Sequence, residues 1–178
     1  MNEGQGIEMR TLLSVTLTGL AATPALAGEM AVTVEIPRLD VAEYHRPYVA
    51  VWVEGADQSV AANLTVRYDV KMRDNEGTKW LKDMRQWWRR SGRDQTFPMD
   101  GVSGPTLPVG EHSLSFDTAK GPLASLKPGS YALVVEAARE VGGRELLKIP
   151  FEWPVKQSFD QSVKGENELG KIALAIKP

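Results

Sequence analysis

Short valine-rich segments that alternate apolar with polar residues recur along this chain, and clusters of turn-forming residues separate them. Residues 30–36 put Val32, Val34 and Ile36 on one face and Ala31, Thr33 and Glu35 on the other. Residues 64–72 set Leu64, Val66, Tyr68, Val70 and Met72 against Thr65, Arg67, Asp69 and Lys71. Residues 48–54 are nearly all apolar, which predicts a central strand covered on both faces. Residues 113–117, 131–138, 145–153 and 169–176 complete the set. Turn signals fall at Asp74-Asn75-Glu76-Gly77, Lys127-Pro128-Gly129-Ser130, Val141-Gly142-Gly143-Arg144 and Lys164-Gly165-Glu166-Asn167, and the Gly142-Gly143 pair predicts a tight hairpin. About seven short strands joined in this way predict an all-β fold, an immunoglobulin-like antiparallel β-sandwich. No strand–helix–strand alternation is present, which argues against a parallel nucleotide-binding sheet.

Composition narrows the functional classes. A chain of 178 residues, 42% hydrophobic, can bury one ordinary core. With no cysteine, disulfides, thiol catalysis, cysteine zinc sites and cysteine-ligated iron–sulfur clusters are excluded. A formal charge of −2 argues against a nucleic-acid partner. Residues 9–27 read as an export address: Arg10 supplies a positive start, an apolar run follows, and Ala25-Leu26-Ala27 has the shape of a signal-peptidase site. The apolar run is too short to span a bilayer. Residues 1–27 are therefore expected to be a signal peptide and 28–178 a single exported domain, bound for a bacterial periplasm.

One segment breaks the strand pattern. Over 79–90, Trp80, Leu81, Met84, Trp87 and Trp88 fall on one face of an amphipathic helix, with Thr78 as cap and Ser91-Gly92 as stop. Lys79, Lys82, Arg85, Gln86 and Arg89 fall on the other. The tryptophans serve either as anchors of the helix on the sandwich or as the wall of a site for a flat anionic ligand. Residues 93–112 follow as a long loop rich in proline and glycine. Its Phe97, Met99, Val102, Leu107 and Val109 predict that it packs against something.

Other constellations are sparse. His45 and His112 are the two histidines, and their spacing from Asp100 or Glu111 does not require a metal. Ser103 with His112 lacks the glycine-flanked elbow of a serine hydrolase. Glu136, Arg139, Glu140 and Arg144 read as cross-strand ion pairs on a solvated face.

Several stretches together resemble a periplasmic bacterial family catalogued as domain of unknown function 2271. They are Tyr44-His45-Arg46-Pro47-Tyr48 running to Glu54, Lys79-Trp80-Leu81-Lys82-Asp83, Trp87-Trp88-Arg89, Asp100-Gly101-Val102-Ser103-Gly104, and Gly129-Ser130-Tyr131 running to Glu140. The segment 114–135 is also similar to the immunoglobulin-like repeat of flagellar hook-capping proteins. Asp100-Gly101-Val102-Ser103-Gly104-Pro105-Thr106 resembles the motif modified by periplasmic flavin transferases, with Pro105 standing where that motif has alanine. The resemblance implies FMN joined through its phosphate to Thr106, with Ser103 and Gly104 admitting the phosphate and Asp100 read by the transferase. Trp87 or Trp88 would then stack on the flavin, and Arg85, Arg89 or Arg90 would balance charge. Such a protein would relay electrons between membrane redox partners rather than act as an enzyme, with a flavin transferase and a membrane-bound redox protein as its partners. The alternative is a non-catalytic accessory module whose helix and loop dock a membrane redox or metal- or haem-handling partner. An enzyme built on the His45 region is a third reading.

Overall fold

The computed structural model describes residues 28–178; the signal peptide expected over 1–27 lies outside them. Among the described residues, four strands form one sheet: β1 (Glu29–Ile36), β5 (Gly110–Asp117), β8 (Phe159–Lys164) and β9 (Lys171–Lys177), in the order β5-β1-β9-β8. The second sheet holds β2 (Tyr48–Gly55), β3 (Val60–Tyr68), β4 (Ser103–Pro105), β6 (Gly129–Ala138) and β7 (Arg144–Trp153), in the order β4-β3-β2-β6-β7. Neighbours pair antiparallel except β3 and β4, which run parallel. The molecule is the all-β sandwich that the alternating segments predict.

Alternation places the core. Val32, Val34 and Ile36 of β1 and Ile172, Leu174 and Ile176 of β9 join Val49, Val51 and Val53 of β2 and Leu133, Val135 and Ala137 of β6 between the sheets. Each large aliphatic side chain buried this way contributes about 1.5–3 kcal/mol relative to exposure. The other face of the five-stranded sheet is also covered. There Ala50, Trp52, Val66, Tyr68, Val134 and Ala138 pack against Leu81, Met84 and Trp87. This second core makes β2 apolar on both faces, as its composition predicts. Gly28 leads into β1 at one end of the sandwich, beside Thr118; Ile36 and Tyr48 lie at the other.

The covering layer is not the helix expected over 79–90. A run of 3₁₀ turns spans Arg73–Asp83, Met84 leaves helical geometry at ψ 72°, and α1 (Arg85–Arg90) begins afresh. The buried positions fall on all three parts of this layer, Leu81 on the 3₁₀ run, Met84 at the break and Trp87 on α1. The restart has an electrostatic cause: the buried Glu136 carboxylate accepts the backbone N–H groups of Gln86 at 3.1 Å and Trp87 at 2.8 Å. These are donors that a helix start leaves without intrahelical partners. At the other end of α1, Arg90 reaches the buried Glu54 at 2.7 Å, and Lys148 pairs with the same carboxylate.

Other expectations are corrected in detail. Residues 93–112 are not one loop. Gly92–Asp94 forms a 3₁₀ turn, Ser103–Pro105 is β4, and β5 starts at Gly110. Phe97, Met99 and Val102 pack on the second core and Leu107 enters the first, while Val109 is exposed. β3 ends at Tyr68 because the N–H of Val70 turns back to the Tyr68 carbonyl at 2.8 Å. The hairpin between β6 and β7 is present, but residues 139–143 make its turn and Val141, not a glycine, takes positive φ. Glu136 and Arg139 do not lie on a solvated face. Glu136 is fully buried and paired with Arg144, and Arg139 forms a buried bidentate pair with Glu168 at 2.9 and 3.1 Å.

Candidate functional site

Where β2 begins and β3 and β6 end, their edge residues surround a cleft of about 560 Å³. Tyr48 of β2, Tyr68 of β3 and Ala138 of β6 form its floor, and the second core supports them from beneath. Tyr44, His45 and Arg46 enter from the β1–β2 connection, Lys71 and Met72 from the turn after β3, Trp80 from the 3₁₀ run, and Thr106 from the end of β4. The volume lies within the range of small-molecule sites, about 300–1,000 Å³.

The lining is aromatic and carries charges of both signs, two basic side chains and a histidine against three carboxylates. Arg46, Lys71 and His45 stand against Asp69, Asp83 and Glu140. His45 lies between two carboxylates, with Nε2 2.9 Å from Glu43 and Nδ1 3.6 Å from Glu140. It thereby ties the β1–β2 connection to the β6–β7 turn. Tyr48 packs edge-on to Tyr68, ring centres 6.2 Å apart. Burial pushes the Tyr48 phenol above its ordinary pKa; a hydrogen bond with the Asp69 backbone opposes this, and the Asp69 and Glu140 charges add to it. The phenol therefore stays a neutral donor at physiological pH.

Only part of the expected site is gathered here. Thr106 is half-buried and lines the cleft. Ser103 is turned toward its own loop, its Oγ accepting the Met99 N–H at 2.9 Å. Gly104 is buried on β4 against Arg67. Asp100 is exposed and borders a different depression, beside Gly101, Val102 and Leu123. Trp87, expected at a cofactor, is 1% exposed, and its indole N–H donates to Asn63 at 2.8 Å. Trp88 is half-buried and stacks on Phe97 at 6.3 Å and 17°. Arg89 is exposed and donates to the Arg85 carbonyl, away from the cleft. Trp87, Trp88 and Arg89 thus belong to the covering layer and its surface, not to the surroundings of Thr106.

Trp80 and the tyrosines take the place at the cleft that Trp87 and Trp88 were expected to hold. Trp80 was legible as part of an aromatic face, and Tyr44-His45-Arg46-Pro47 only as the start of one of the stretches that resemble the family. Lys71 and Asp69 carried no signal, since they read as the polar face of a strand that in fact ends before them.

A family model described as "Predicted periplasmic protein (DUF2271)" matches residues 29–171. The chain belongs to this family. The DUF2271 match runs from the first residue of β1 to the first residue of β9 and takes in every wall of the cleft. No curated protein matches the chain, and no solved structure does.

Proposed function

We propose that this DUF2271 protein is a periplasmic electron-transfer protein that carries FMN as a phosphoester on Thr106, after export directed by a leader over residues 1–27. The observation that supports this reading is the company Thr106 keeps: a half-buried threonine lining a cleft shared with Trp80, Tyr44 and Tyr48, with Arg46 and Lys71 in the same lining. A flat ring system suits the aromatic walls, and a monoanionic phosphodiester needs one cation, which Arg46 or Lys71 supplies. In the attachment step a flavin transferase uses FAD. The Thr106 Oγ–P bond forms at the FMN phosphorus, the pyrophosphate P–O bond breaks, AMP leaves, and the hydroxyl proton passes to a transferase base. Once joined, the flavin supplies the electron-accepting chemistry that the side chains lack. The protein's own residues bind and shield: Trp80 and the tyrosines cover ring faces, and the neutral Tyr48 phenol donates a hydrogen bond. No substrate is turned over, so the protein is a carrier rather than an enzyme, working with a membrane-bound redox protein.

A second reading keeps the cleft and drops the ester. The sheet pairing of Ser103–Pro105 with β3 holds the backbone next to Thr106, and Pro105 removes an N–H there. These features favour a non-catalytic accessory module whose cleft docks a partner group reversibly. Intact-protein mass after co-expression with a flavin transferase separates the two. We expect a gain of one FMN unit that disappears in Thr106→Ala; an unmodified wild-type protein leaves the docking module.

A further inference from the structure

The wall of the cleft that comes from the β1–β2 connection is held by little. Residues 37–47 link the two strands without regular structure, and most of them are exposed. Among the described residues, no backbone–backbone hydrogen bond fastens this segment to the sandwich. Its one polar side-chain contact with another element is made by His45, whose Nδ1 stands 3.6 Å from Glu140 of the β6–β7 turn. Yet Tyr44, His45 and Arg46 of this segment all line the cleft.

The two ring nitrogens of His45 play different parts. Nε2 lies 2.9 Å from Glu43, a partner within the same segment, and a neutral imidazole keeps that hydrogen bond by carrying its proton there. Nδ1, at 3.6 Å, is beyond hydrogen-bond length from Glu140, so its attraction to that carboxylate is electrostatic and needs the imidazolium. A neutral ring with its proton on Nε2 turns a lone pair toward Glu140 instead. The other charged groups at the cleft are Arg46 on the same segment, Asp69 and Lys71 after β3, and Asp83 of the 3₁₀ run. Carboxylates, phenols, lysine and arginine ordinarily titrate outside the range of about pH 5.5–8, and histidine within it. The contact between segment and turn therefore depends on one proton of His45.

We propose that His45 is a pH-sensitive latch on the cleft. Below the histidine range its imidazolium bridges Glu43 and Glu140 and holds residues 37–47 against the turn; above that range the segment comes free and the mouth widens. Because both carboxylates are well exposed, the latch shifts populations a few-fold and is not an all-or-none switch. It acts on the cleft of the function proposed above but not on its occupant, so it stands whether or not Thr106 carries FMN.

The test uses the protein without any transferase, so its outcome is separate from that of the mass measurement on the ester. The chain has no cysteine, and Val41 is an exposed position on the segment. Val41→Cys therefore takes a single nitroxide, whose spectrum reports how freely the segment moves. Between about pH 5.5 and about pH 8 the ratio of mobile to immobilised signal is expected to rise about 2–5-fold. Added to this background, His45→Gln is expected to give the mobile ratio at both pH values, and His45→Lys, which keeps a cation, the immobilised ratio at both. Glu140→Gln is expected to abolish the pH dependence. A ratio that does not change with pH when His45 is present, or a pH dependence that survives in His45→Gln or Glu140→Gln, overturns the latch.

Discussion

Trp87 and Trp88 sit side by side in sequence and fall into different environments, one sealed in the second core and hydrogen-bonded to Asn63, the other half-exposed over Phe97. Periodicity assigned both to one apolar face but could not say which would be sealed, because that depends on where Glu136 restarts the helix. Trp87→Ala is expected to cost about 3–5 kcal/mol in urea unfolding, whereas Trp80→Ala, at the cleft wall, should cost well under half of that and, on the function proposed above, raise the fluorescence of the ester-linked flavin by uncovering its ring. Equal losses in the two variants would contradict this division. Glu145 makes a pH prediction. The backbone N–H groups of Glu166, Asn167 and Leu169 converge on its carboxylate at 2.7, 3.1 and 2.8 Å. Burial pushes its pKa up, but these hydrogen bonds outweigh burial and hold it below the usual carboxylate range. A carboxyl with a depressed folded-state pKa contributes stability that is present above the unfolded value of about 4.3 and is lost as pH falls through the folded value. Glu145→Gln should therefore flatten the acid limb of the stability profile, and parallel limbs for variant and wild type would refute it.

Elements were legible in proportion to how far local pattern alone decides them. β1, β2, β6 and β7 carry alternation or continuous apolar character that tertiary packing reinforces. β8 was missed because, as a mostly exposed edge strand, it offers only Phe159 and Val163 to the core. β4 was missed because its three residues pair with β3 through backbone groups, which leave no mark on side-chain pattern. The covering layer was legible as helical and wrong in type, since its restart after Met84 is set by Glu136 of β6. Its dependence on Glu136 is testable. Glu136→Ala removes the acceptor for two N–H groups and strips Arg144 of its partner, which is expected to cost about 3–5 kcal/mol. Amide exchange at Gln86 and Trp87 should accelerate more than exchange in β1. Uniform acceleration across both sheets would instead indicate a global loss with no special link to α1.

At the scale of the molecule, β2 is shared by two cores, one between the sheets and one beneath the 3₁₀ and α1 layer. The sandwich could be read from the strand pattern, and the apolar run over 48–54 with the tryptophan segment predicted a covering layer; its break at Met84 could not be read, because it depends on the buried Glu136 from a distant strand. Sharing predicts that both cores unfold together. Indole fluorescence, dominated by the second core through Trp52 and Trp87, and far-UV circular dichroism should give coincident urea transitions. A separate early fluorescence transition would show the covering layer detaching by itself.

The strands also give the molecule two poles. Gly28 enters at one and the cleft opens at the other, separated by a strand length on the order of 25 Å. Any attachment upstream of Gly28 would therefore grip the protein from behind, leaving its aromatic mouth turned outward and free to meet a second molecule.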